Sequence, residues 1–368
     1  MSTSSSLYIH IPFCKRLCGY CDFYKTMSLA RKSEVLEAIC REVEGRGSLL
    51  EGTQLRTIYF GGGTPTVCSP EELASVVGCA HRVFDCSAVE EMTIEANPDD
   101  LTPDYLAGLR EVGFNRLSMG IQSFADEDLK FMNRRHDAAG AVRAVEEARK
   151  AGFDNISIDL IYGLPTATEQ GWSYNVERAV ELGVEHISAY NLTIEENTLF
   201  GRKGVKSAPD EVAEREYWTM CETLAQAGYE HYEISNFSLP GRHSRHNSAY
   251  WRGTPYLGVG PAAHSYDGVS SRSWNVASVA RYLEGVGPES EVLSTQELYE
   301  EYVMVGLRTA RGVSVAEIGA KFGGDYVQKF TDAVGPFLRS GWLIETGGRV
   351  ACAESHWLVS DAIIAELF

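Results

Sequence analysis

Residues 110–114 read Arg-Glu-Val-Gly-Phe, a run in which the end of a helix is followed at once by an apolar residue that begins a strand. The same pattern, a helix end with a glycine followed by an apolar residue, recurs at residues 149–153, 181–184 and 226–229. In each run the glycine stands where a helix would stop in a left-handed cap, a conformation that glycine tolerates best. The repeat therefore predicts helices that alternate with strands along the chain.

Short apolar segments rich in branched or aromatic residues precede or separate these stops. Between them lie stretches with helical spacing, such as Val35, Leu36, Ile39 and Val43 on one face. Regular alternation of this kind predicts a parallel sheet covered by helices, and an open doubly wound sheet or a barrel would both satisfy it. The six predicted strands are 7–11, 57–60, 92–96, 116–121, 156–161 and 186–192.

Polar and glycine-rich residues gather just after several of these strands. They include the Gly-Gly-Gly-Thr-Pro run at 61–65, the Glu-Ala-Asn-Pro run at 95–98, Gln122 and Asp159. In β/α architectures the edge formed by the carboxyl ends of the strands carries the active site. We therefore expect these side chains to meet at one site.

The composition changes at the Gly-Val-Gly-Pro run 285–288, which predicts two domains, 1–285 and 286–368. The second would hold helices, a strand-turn-strand unit with Gly347 and Gly348 at the turn, and a closing helix. This order is typical of a small winged-helix-like domain. The predicted segments are helices 295–309, 315–322 and 326–339, the hairpin 342–352 and the helix 360–368.

Length and charge narrow the function classes. A chain of 368 residues is long enough for one large core and a smaller one. Its formal net charge of -18 argues against a protein that wraps nucleic acid, because phosphate binding rests on clustered Lys and Arg. Ser/Thr-rich residues 1–6 and the lack of an apolar run of about 18 residues lead us to expect a cytoplasmic protein without a transmembrane segment.

Cys14, Cys18 and Cys21 place three thiols in a loop directly after the first predicted strand. A structural zinc site would want a fourth Cys or His nearby. A four-iron cluster held by three thiols would leave one iron open to a small molecule, and the spacing favours this iron site. The chain has nine cysteines, and we expect the other six, Cys40, Cys68, Cys79, Cys86, Cys221 and Cys352, to be small free residues of the core.

The Cys-x-x-x-Cys-x-x-Cys motif, with Tyr20 before its last cysteine, resembles the radical S-adenosylmethionine superfamily, whose fold is a partial barrel of six βα units. Further motifs resemble the family of oxygen-independent coproporphyrinogen oxidases and its relatives, haem chaperones of the HemW type. They lie at residues 8–14, 61–66, 120–124, 133–134 and 159–165. The resemblance covers nearly the whole chain and implies an α/β fold, a partial (β/α)6 barrel with a small C-terminal winged-helix-like domain.

The resemblance also implies a 4Fe-4S cluster on the three cysteines and S-adenosylmethionine chelated to the open iron. No side chain is assigned a catalytic role. Tyr8 and Tyr20 would line the cofactor, and Gly62, Gly63 and Thr64 would approach its methionyl part. The amino and ribose groups of the cofactor would donate hydrogen bonds to Glu95, Gln122 and Asp159. Its carboxylate would form an ion pair with Arg134. Taken singly, such residues are more often helix caps, loop anchors or solvated charges.

Two features separate the oxidase from the chaperone. The oxidase carries a further cysteine two places after the third cluster cysteine, where this chain has Phe23. The run His-Asn-Ser-Ala-Tyr-Trp at 246–251 matches the HNxxYW signature of the haem chaperones. The match implies haem binding with His246 at the site, whereas the residues alone favour a loop anchored by aromatic packing. Arg242, Arg245 and Arg252 would help to bind the haem propionates.

Three function classes follow. The first is a haem chaperone whose partners are haem and a haem-acceptor protein, such as a respiratory haem protein, with a homodimer as an assembly to test. The second is a radical enzyme, either the coproporphyrinogen III oxidase or another enzyme of tetrapyrroles. The third is a nucleic-acid-binding regulator that uses the C-terminal domain, which the negative charge disfavours.

Overall fold

A computed structural model gives the structure of the chain and describes residues 3–368. Six parallel strands lie side by side in chain order, as the repeated helix stops at glycine predict. Each of them contains or closely matches a predicted strand. Their inner residues are apolar because helices cover them. The strands are β1 Thr3–Ile11, β2 Thr53–Gly62, β3 Glu91–Ala96, β4 Arg116–Gln122, β5 Ile156–Tyr162 and β6 His186–Asn191.

Helices that connect these strands pack their apolar faces against the outer side of the sheet. Val35, Ile39 and Val43 of the first helix are buried in this core, as the spacing predicts. The helices are α1 Lys32–Arg46, α2 Pro70–Val83, α3 Pro103–Val112, α4 Asp126–Phe131, α5 Ala138–Lys150, α6 Glu169–Glu181, α7 Leu199–Arg202 and α8 Asp210–Gln226, with short 3-10 helices at Gly47–Leu50, Pro65–Val67 and Pro98–Asp100.

Further strands extend the sheet at both ends and bring it to twelve strands within residues 3–368. One group, β9 Tyr256–Val259, β10 His264–Tyr266, β11 Ser271–Trp274 and β12 Glu289–Val292, continues outward from β1. Only β9 of this group is parallel to its inner neighbour β1. Beyond β6 lie β8 Asn236–Ser238 and β7 Glu230–Glu233, both joined by antiparallel pairing. The partial barrel thus has β1 in its interior.

Two short helices belong to the segment that follows the barrel: α9 Arg245–Trp251 and α10 Val279–Leu283. The C-terminal part has its own apolar core around Tyr299, Val303 and Phe330. It matches the predicted order of three helices, a hairpin turning at Gly347 and Gly348, and a closing helix. Its elements are α11 Thr295–Leu307, β13 Val313–Ser314, α12 Val315–Phe322, α13 Gly324–Ser340, β14 Leu343–Thr346, β15 Arg349–Cys352, a 3-10 helix Glu354–Val359 and α14 Ser360–Ala365.

The fold class expected from the sequence, an α/β partial (β/α)6 barrel with a winged-helix-like C-terminal unit, is confirmed. The division between residues 285 and 286 stays a prediction. The structure places β12, which follows that division, on the edge of the large sheet through its pairing with β11. Among residues 3–368 no helix is both long and apolar enough to cross a membrane.

The expectation that the six cysteines outside the motif are all free is wrong for two of them. Cys40 of α1 and Cys79 of α2 form a disulfide, with Cα atoms 5.6 Å apart. The pairing arises because α1 and α2 pack side by side on the same face of the sheet, and local sequence spacing carries no sign of it. Cys68, Cys221 and Cys352 are free and buried, as expected, whereas Cys86 is free and half-buried.

Gly113 tests the helix-stop pattern that identifies the fold. Its φ of 109° closes α3 in the left-handed region, and a Cβ there would meet only the Met92 side chain, at 3.8 Å. Gly113→Ala should therefore lower the free energy of unfolding by about 1 kcal/mol through backbone strain alone.

Gly45→Ala is the matched control, because Gly45 lies exposed inside α1 with no atom within 4 Å of an added Cβ. That change should raise the free energy of unfolding by roughly 0.5–1 kcal/mol through helix propensity. Urea unfolding of both variants measures the two effects. Equal changes of the same sign would contradict the assignment of Gly113 as a required cap.

Candidate functional site

The three motif cysteines lie on a loop that begins at the carboxyl end of β1 and is closed at its base. The Cys14 N–H donates to the Thr26 carbonyl at 2.9 Å, and the Thr26 N–H donates to the Pro12 carbonyl at 2.7 Å. Within the loop, the Gly19 N–H donates to the Met132 carbonyl at 3.0 Å. The loop is therefore fixed at its base and at its middle.

The surroundings of the thiols suit a polynuclear cluster. Burial raises the pKa of Cys14 to about 11 and also raises that of Cys21, so both thiols need a cationic partner to ionise. The Arg134 Nη1 lies 3.1 Å from the Cys18 Sγ, and the Thr64 hydroxyl lies 3.5 Å from the Cys14 Sγ. Within residues 3–368 no three His, Cys, Asp or Glu side chains converge as ligands of a single metal ion.

A run of three glycines, Gly61–Gly63, begins in the last two residues of β2 and lies beside the cysteine loop. A Cβ on Gly62, whose φ is 109°, would lie 2.5 Å from the His10 ring. A Cβ on Gly63 would lie 2.7 Å from the Phe13 carbonyl oxygen. Neither position has room for a side chain, so this backbone lies directly against β1 and the start of the cysteine loop. Thr64 is buried at the end of the run.

Arg134 joins the cysteine loop to two strand ends. Besides Cys18, its guanidinium contacts the Asn97 Oδ1 at 2.7 Å and the Gly120 carbonyl oxygen. Its Nε is buried and has no hydrogen-bond partner among residues 3–368. An unpartnered buried guanidinium N–H fits the predicted role of binding a carboxylate here.

Glu95 and Asp159 bring two carboxyl groups to the same end of the barrel. Glu95 accepts from the Tyr59 hydroxyl at 2.8 Å and from the Gly62 N–H at 3.1 Å. Burial, with the charge of Asp159, raises the pKa of Glu95 to about 7. Burial also raises the pKa of Asp159 to about 6, against the opposing effect of Arg116. Two buried carboxyl groups of this kind suit a cationic ligand, because its positive charge would stabilise the ionised forms of both Glu95 and Asp159.

Gln122 ends β4 with a φ of 71°, rare for a residue with a side chain. The strain lies beside Arg134, since a Cβ on Gly120 would come within 2.9 Å of the Gln122 Nε2 and 3.2 Å of the Arg134 Nη2. Strained backbone of this kind concentrates at functional sites. Gln122 and Arg134 therefore pack together over the backbone of β4.

The two tyrosines predicted to line the cofactor lie on different walls. The Tyr8 hydroxyl lies 3.2 Å from the His10 Nδ1, and its ring stacks against Tyr59. Tyr20 packs with the small apolar cluster that includes Phe200, on the other side of the cysteine loop. The predicted cofactor residues of β1 to β5 thus gather at one edge of the sheet.

His246 lies apart from this edge, inside the barrel. It is 1% exposed, and its ring stacks on Tyr59 with centroids 4.8 Å apart. Its Nδ1 bonds the Thr57 hydroxyl at 2.8 Å and its Nε2 bonds the Tyr250 hydroxyl at 2.9 Å. Burial lowers the pKa of His246 to about 3, so the ring is neutral. Because both ring nitrogens of His246 already have hydrogen-bond partners, the geometry favours a role in anchoring the loop over a role as haem iron ligand. The predicted part of His246 in haem binding stays a prediction.

A buried carboxylate holds the start of α9 against the barrel. Glu91 accepts from the backbone N–H of Arg245 at 3.0 Å and of His246 at 2.9 Å. Arg116, 2% exposed, lies 4.0 Å from the same carboxylate. The pairing of an interior glutamate with a helix entering the barrel cannot be read from local sequence.

Sequence reasoning missed Tyr59 and Asn97 as site residues. Both stand in segments that it had identified, Tyr59 in the second strand and Asn97 in the polar run after the third. Tyr59 faces inward with Thr57 and Gly61, and this alternation along β2 was the available signal. Asn97 bridges Arg134 and the Thr64 hydroxyl, to which its amide donates at 3.3 Å.

Comparisons with known proteins agree with this architecture. The family model of the Radical SAM superfamily matches residues 8–179, and that of the HemN C-terminal domain matches residues 293–359. The heme chaperone HemW of Lactococcus lactis is 38% identical, covering 86% of this chain and 85% of its own. HemW of Mycobacterium tuberculosis is 34% identical, covering 98% and 94%.

Among solved structures, coproporphyrinogen III oxidase (HemN) from Escherichia coli, described as a radical SAM enzyme, has a TM-score of 0.86. The match covers 100% of this chain and 90% of that chain at 24% sequence identity. At this identity the match establishes the shared fold. It extends over both the partial barrel and the C-terminal unit.

The raised pKa of Glu95 predicts a pH dependence of stability. The folded carboxyl, with a pKa of about 7, holds its proton more tightly than the unfolded one, with an ordinary value of 4.5. The free energy of unfolding should therefore fall as pH rises from 4.5 to 7, by at most roughly 1.4 kcal/mol per pH unit from this group.

Glu95→Gln removes the titrating group. As the pH rises from 4.5 to 7, the free energy of unfolding of the variant should increase relative to that of the unchanged protein. Urea unfolding of both proteins, at the same degree of cluster loading, measures this difference. Parallel pH profiles for the two proteins would show that Glu95 titrates at its ordinary pKa.

Proposed function

The chain belongs to the radical SAM superfamily and, within it, to the family of the heme chaperone HemW, and we propose from this membership that it binds haem and passes it to an acceptor protein. The observation that carries the proposal is the HNxxYW segment, residues 246–251, in a chain 38% identical to a protein named as a heme chaperone. Phe23 supports it, since this residue stands where the oxidases carry a further cysteine.

We further propose that Cys14, Cys18 and Cys21 hold a 4Fe-4S cluster and that the fourth iron takes exchangeable S-adenosylmethionine. When bound, this cluster supplies one-electron reduction of the cofactor's sulfonium. The chain's contribution is to hold three thiols on a loop closed at its base, beside the guanidinium of Arg134, which offsets their negative charge when they are ionised.

The side chains at the carboxyl ends of the strands would orient the cofactor. The free Nε of Arg134 supports a carboxylate contact, and Glu95 with Asp159 supports contacts to the amino and ribose groups. Gly62, Gly63 and Thr64 would lie beside the methionyl part, with their N–H groups held by Glu95 and by the Ile11 and Phe13 carbonyls. Tyr8, Tyr20 and Gln122 would complete the walls of the site.

The signature helix α9 has a supporting role in this proposal. His246 anchors it to β2 through the Thr57 hydroxyl, and its ring stacks on Tyr59, which in turn bonds Glu95. The haem acceptor, for which a respiratory haem protein is one candidate, a cytoplasmic location and a homodimer remain proposals.

Replacing Cys14, Cys18 or Cys21 by Ala should abolish the cluster, because each thiolate would hold one of its irons and the chain would supply only two ligands after the change. Iron and sulfide analysis and the broad visible absorbance after anaerobic reconstitution measure the loss. Cys68→Ala is the control, as Cys68 is a buried free thiol outside the loop. Tight stoichiometric zinc in the unchanged protein would contradict the assignment.

His246→Ala should lower the free energy of unfolding by roughly 2–4 kcal/mol, since it removes a stacked ring and leaves buried hydroxyl groups without partners. The Soret spectrum of haem on the folded fraction should stay unchanged. Thermal unfolding and haem titration measure the two quantities separately. A shifted Soret band in a protein of unchanged stability would instead make His246 an iron ligand.

Coproporphyrinogen oxidase activity should be absent, as Phe23 replaces the further cysteine and its side chain is 71% exposed at the cysteine loop. The assay is anaerobic incubation with a reductant, S-adenosylmethionine and coproporphyrinogen. Formation of protoporphyrinogen at an enzymatic rate would favour the oxidase over the chaperone.

A further inference from the structure

Asn97, half-buried directly after β3, connects two side chains that each contact a motif thiol. Its Oδ1 accepts from the Arg134 Nη2 at 2.7 Å, and its Nδ2 donates to the Thr64 hydroxyl at 3.3 Å. Arg134 in turn donates to the Cys18 Sγ at 3.1 Å, and Thr64 donates to the Cys14 Sγ at 3.5 Å. A continuous chain of hydrogen bonds therefore runs from one thiol to the other through the amide of Asn97.

The chemistry of these groups fixes the direction of each hydrogen bond. A guanidinium has donors and no acceptor, so the side of the Asn97 amide that faces Arg134 must be its oxygen. The amino group of Asn97 then faces the Thr64 oxygen and occupies one of its lone pairs. The single hydroxyl hydrogen of Thr64 is left for the Cys14 sulfur, its one acceptor in the described part of the chain. Asn97 thus orients both donors toward the thiols.

The turn that carries Asn97 is held in place by other contacts. Its φ of -88° and ψ of 139° are the extended values favoured before Pro98, where a short 3-10 helix begins. The Asp100 side chain at the end of this helix is 1% exposed. It accepts from the Thr66 hydroxyl at 3.1 Å and from the Lys15 Nζ at 2.6 Å. The turn is therefore fixed to the segment after the glycine run and to the cysteine loop without the side chain of Asn97.

An asparagine that anchors its own turn makes different contacts. Such side chains commonly bond backbone groups of neighbouring segments. Asn115, directly before β4, is an example, since its amide accepts from the Met92 N–H at 2.8 Å and donates to the Glu90 carbonyl at 3.0 Å. Among residues 3–368 the side chain of Asn97 bonds no backbone group, only the guanidinium and the hydroxyl. Its contacts are therefore directed at the groups that face the thiols.

Hydrogen bonds to the sulfurs of an iron–sulfur cluster are among the factors that set its reduction potential. Uptake of one electron makes the cluster more negative, so a donor to a cysteine sulfur stabilises the reduced form more than the oxidised form. In this step an external one-electron donor of low potential loses the electron, the cluster gains it, and no proton or bond of the chain changes. Thr64 is 6% exposed, so water does not compete for its hydroxyl hydrogen.

We propose that Asn97 is a positioning residue that raises the reduction potential of the cluster by orienting Arg134 and Thr64 toward the sulfurs of Cys18 and Cys14. The inference rests on the proposed cluster and deepens it, since it names the groups outside the cysteines that control electron uptake. Because the chain of hydrogen bonds joins three segments at one edge of the sheet, this control depends on the fold around the cysteine loop.

The test is a redox titration of the reconstituted full chain, without S-adenosylmethionine, with a low-potential Eu(II) chelate as the reductant. Visible absorbance and the EPR signal of the reduced cluster follow the reaction. Asn97→Leu is close in size and uncharged, so a shift reports lost hydrogen bonds and not a new charge. The equilibrium constant for one-electron reduction should fall about tenfold, which lowers the midpoint potential by about 59 mV.

Thr64 supplies a second and independent variant. Thr64→Val removes the hydroxyl with little change of shape and should also lower the midpoint potential, whereas Thr64→Ser keeps the hydroxyl and should recover most of the loss. In the Thr64→Val background, Asn97→Leu should lower the equilibrium constant less than it does alone, because one of the two donors is already absent.

Asn115→Leu is the matched control, because it removes two hydrogen bonds of a half-buried asparagine at the amino end of β3, away from the cysteine loop. It should leave the midpoint potential unchanged even where it lowers thermal stability. Iron and sulfide content and thermal unfolding establish that each variant is folded and loaded.

The outcomes separate this inference from the proposed cluster. Equal midpoint potentials in the unchanged protein, Asn97→Leu and Thr64→Val would overturn the inference while leaving the cluster in place, and so would an equal fall in Asn115→Leu. If Asn97→Leu holds no cluster, the potentials of Thr64→Val and Thr64→Ser decide the question. An unchanged protein that holds no four-iron cluster after reconstitution would overturn the proposed cluster itself, and the inference with it.

Discussion

The parallel pairing of β1 with β2 determines where the cysteine loop lies relative to the glycine run. This pairing continues beyond the strands, since the Gly63 N–H donates to the Ile11 carbonyl and the Thr64 N–H to the Phe13 carbonyl, both at 2.8 Å. The cysteine loop leaves from one strand and the glycine run from the other, so their register fixes the thiols relative to the backbone beside them. A slip of one residue would turn His10 and Tyr8 to the opposite face of the sheet.

A second set of contacts links the two ends of the barrel. His246 stacks on Tyr59, and the Tyr59 hydroxyl donates to Glu95, which sits near the carboxyl ends of the strands. Glu91 and Arg116 hold the signature helix from the other side. The signature helix is therefore joined to the candidate cluster site through the packed rings of His246 and Tyr59.

Many of the helices and strands of the barrel were predictable because they depend on sequence patterns that extend over only a few residues. The glycines after each helix and the branched residues of each strand depend on backbone conformation and burial, which act over a few residues. The glycine run and the polar strand ends were also visible, and they do converge at one edge. Their register relative to the cysteines was not, because it depends on pairing between distant segments.

The parts that escaped prediction are long-range contacts between elements. The disulfide of Cys40 with Cys79 follows from the packing of two helices, and the capping of α9 by Glu91 joins residues 155 positions apart. The hydrogen bonds that engage both nitrogens of His246 come from strand β2 and from its own helix. The most prominent residue of the HNxxYW segment is therefore buried in contacts that support the fold.

The position of β12 determines what one open edge of the large sheet presents to solvent. A long open sheet leaves unpaired backbone groups at its edges, and these attract strands of other chains. At one end, β7 is partly covered, since Glu233 bridges Thr309 of the C-terminal part. At the other, all four residues of β12 are exposed, and Glu289 and Glu291 place carboxylates along the rim. Glu291 is paired with Arg272 of β11 at 2.6 Å, so an incoming copy of the same edge would meet the unneutralised carboxylate of Glu289, and electrostatic repulsion opposes edge-to-edge pairing at that residue.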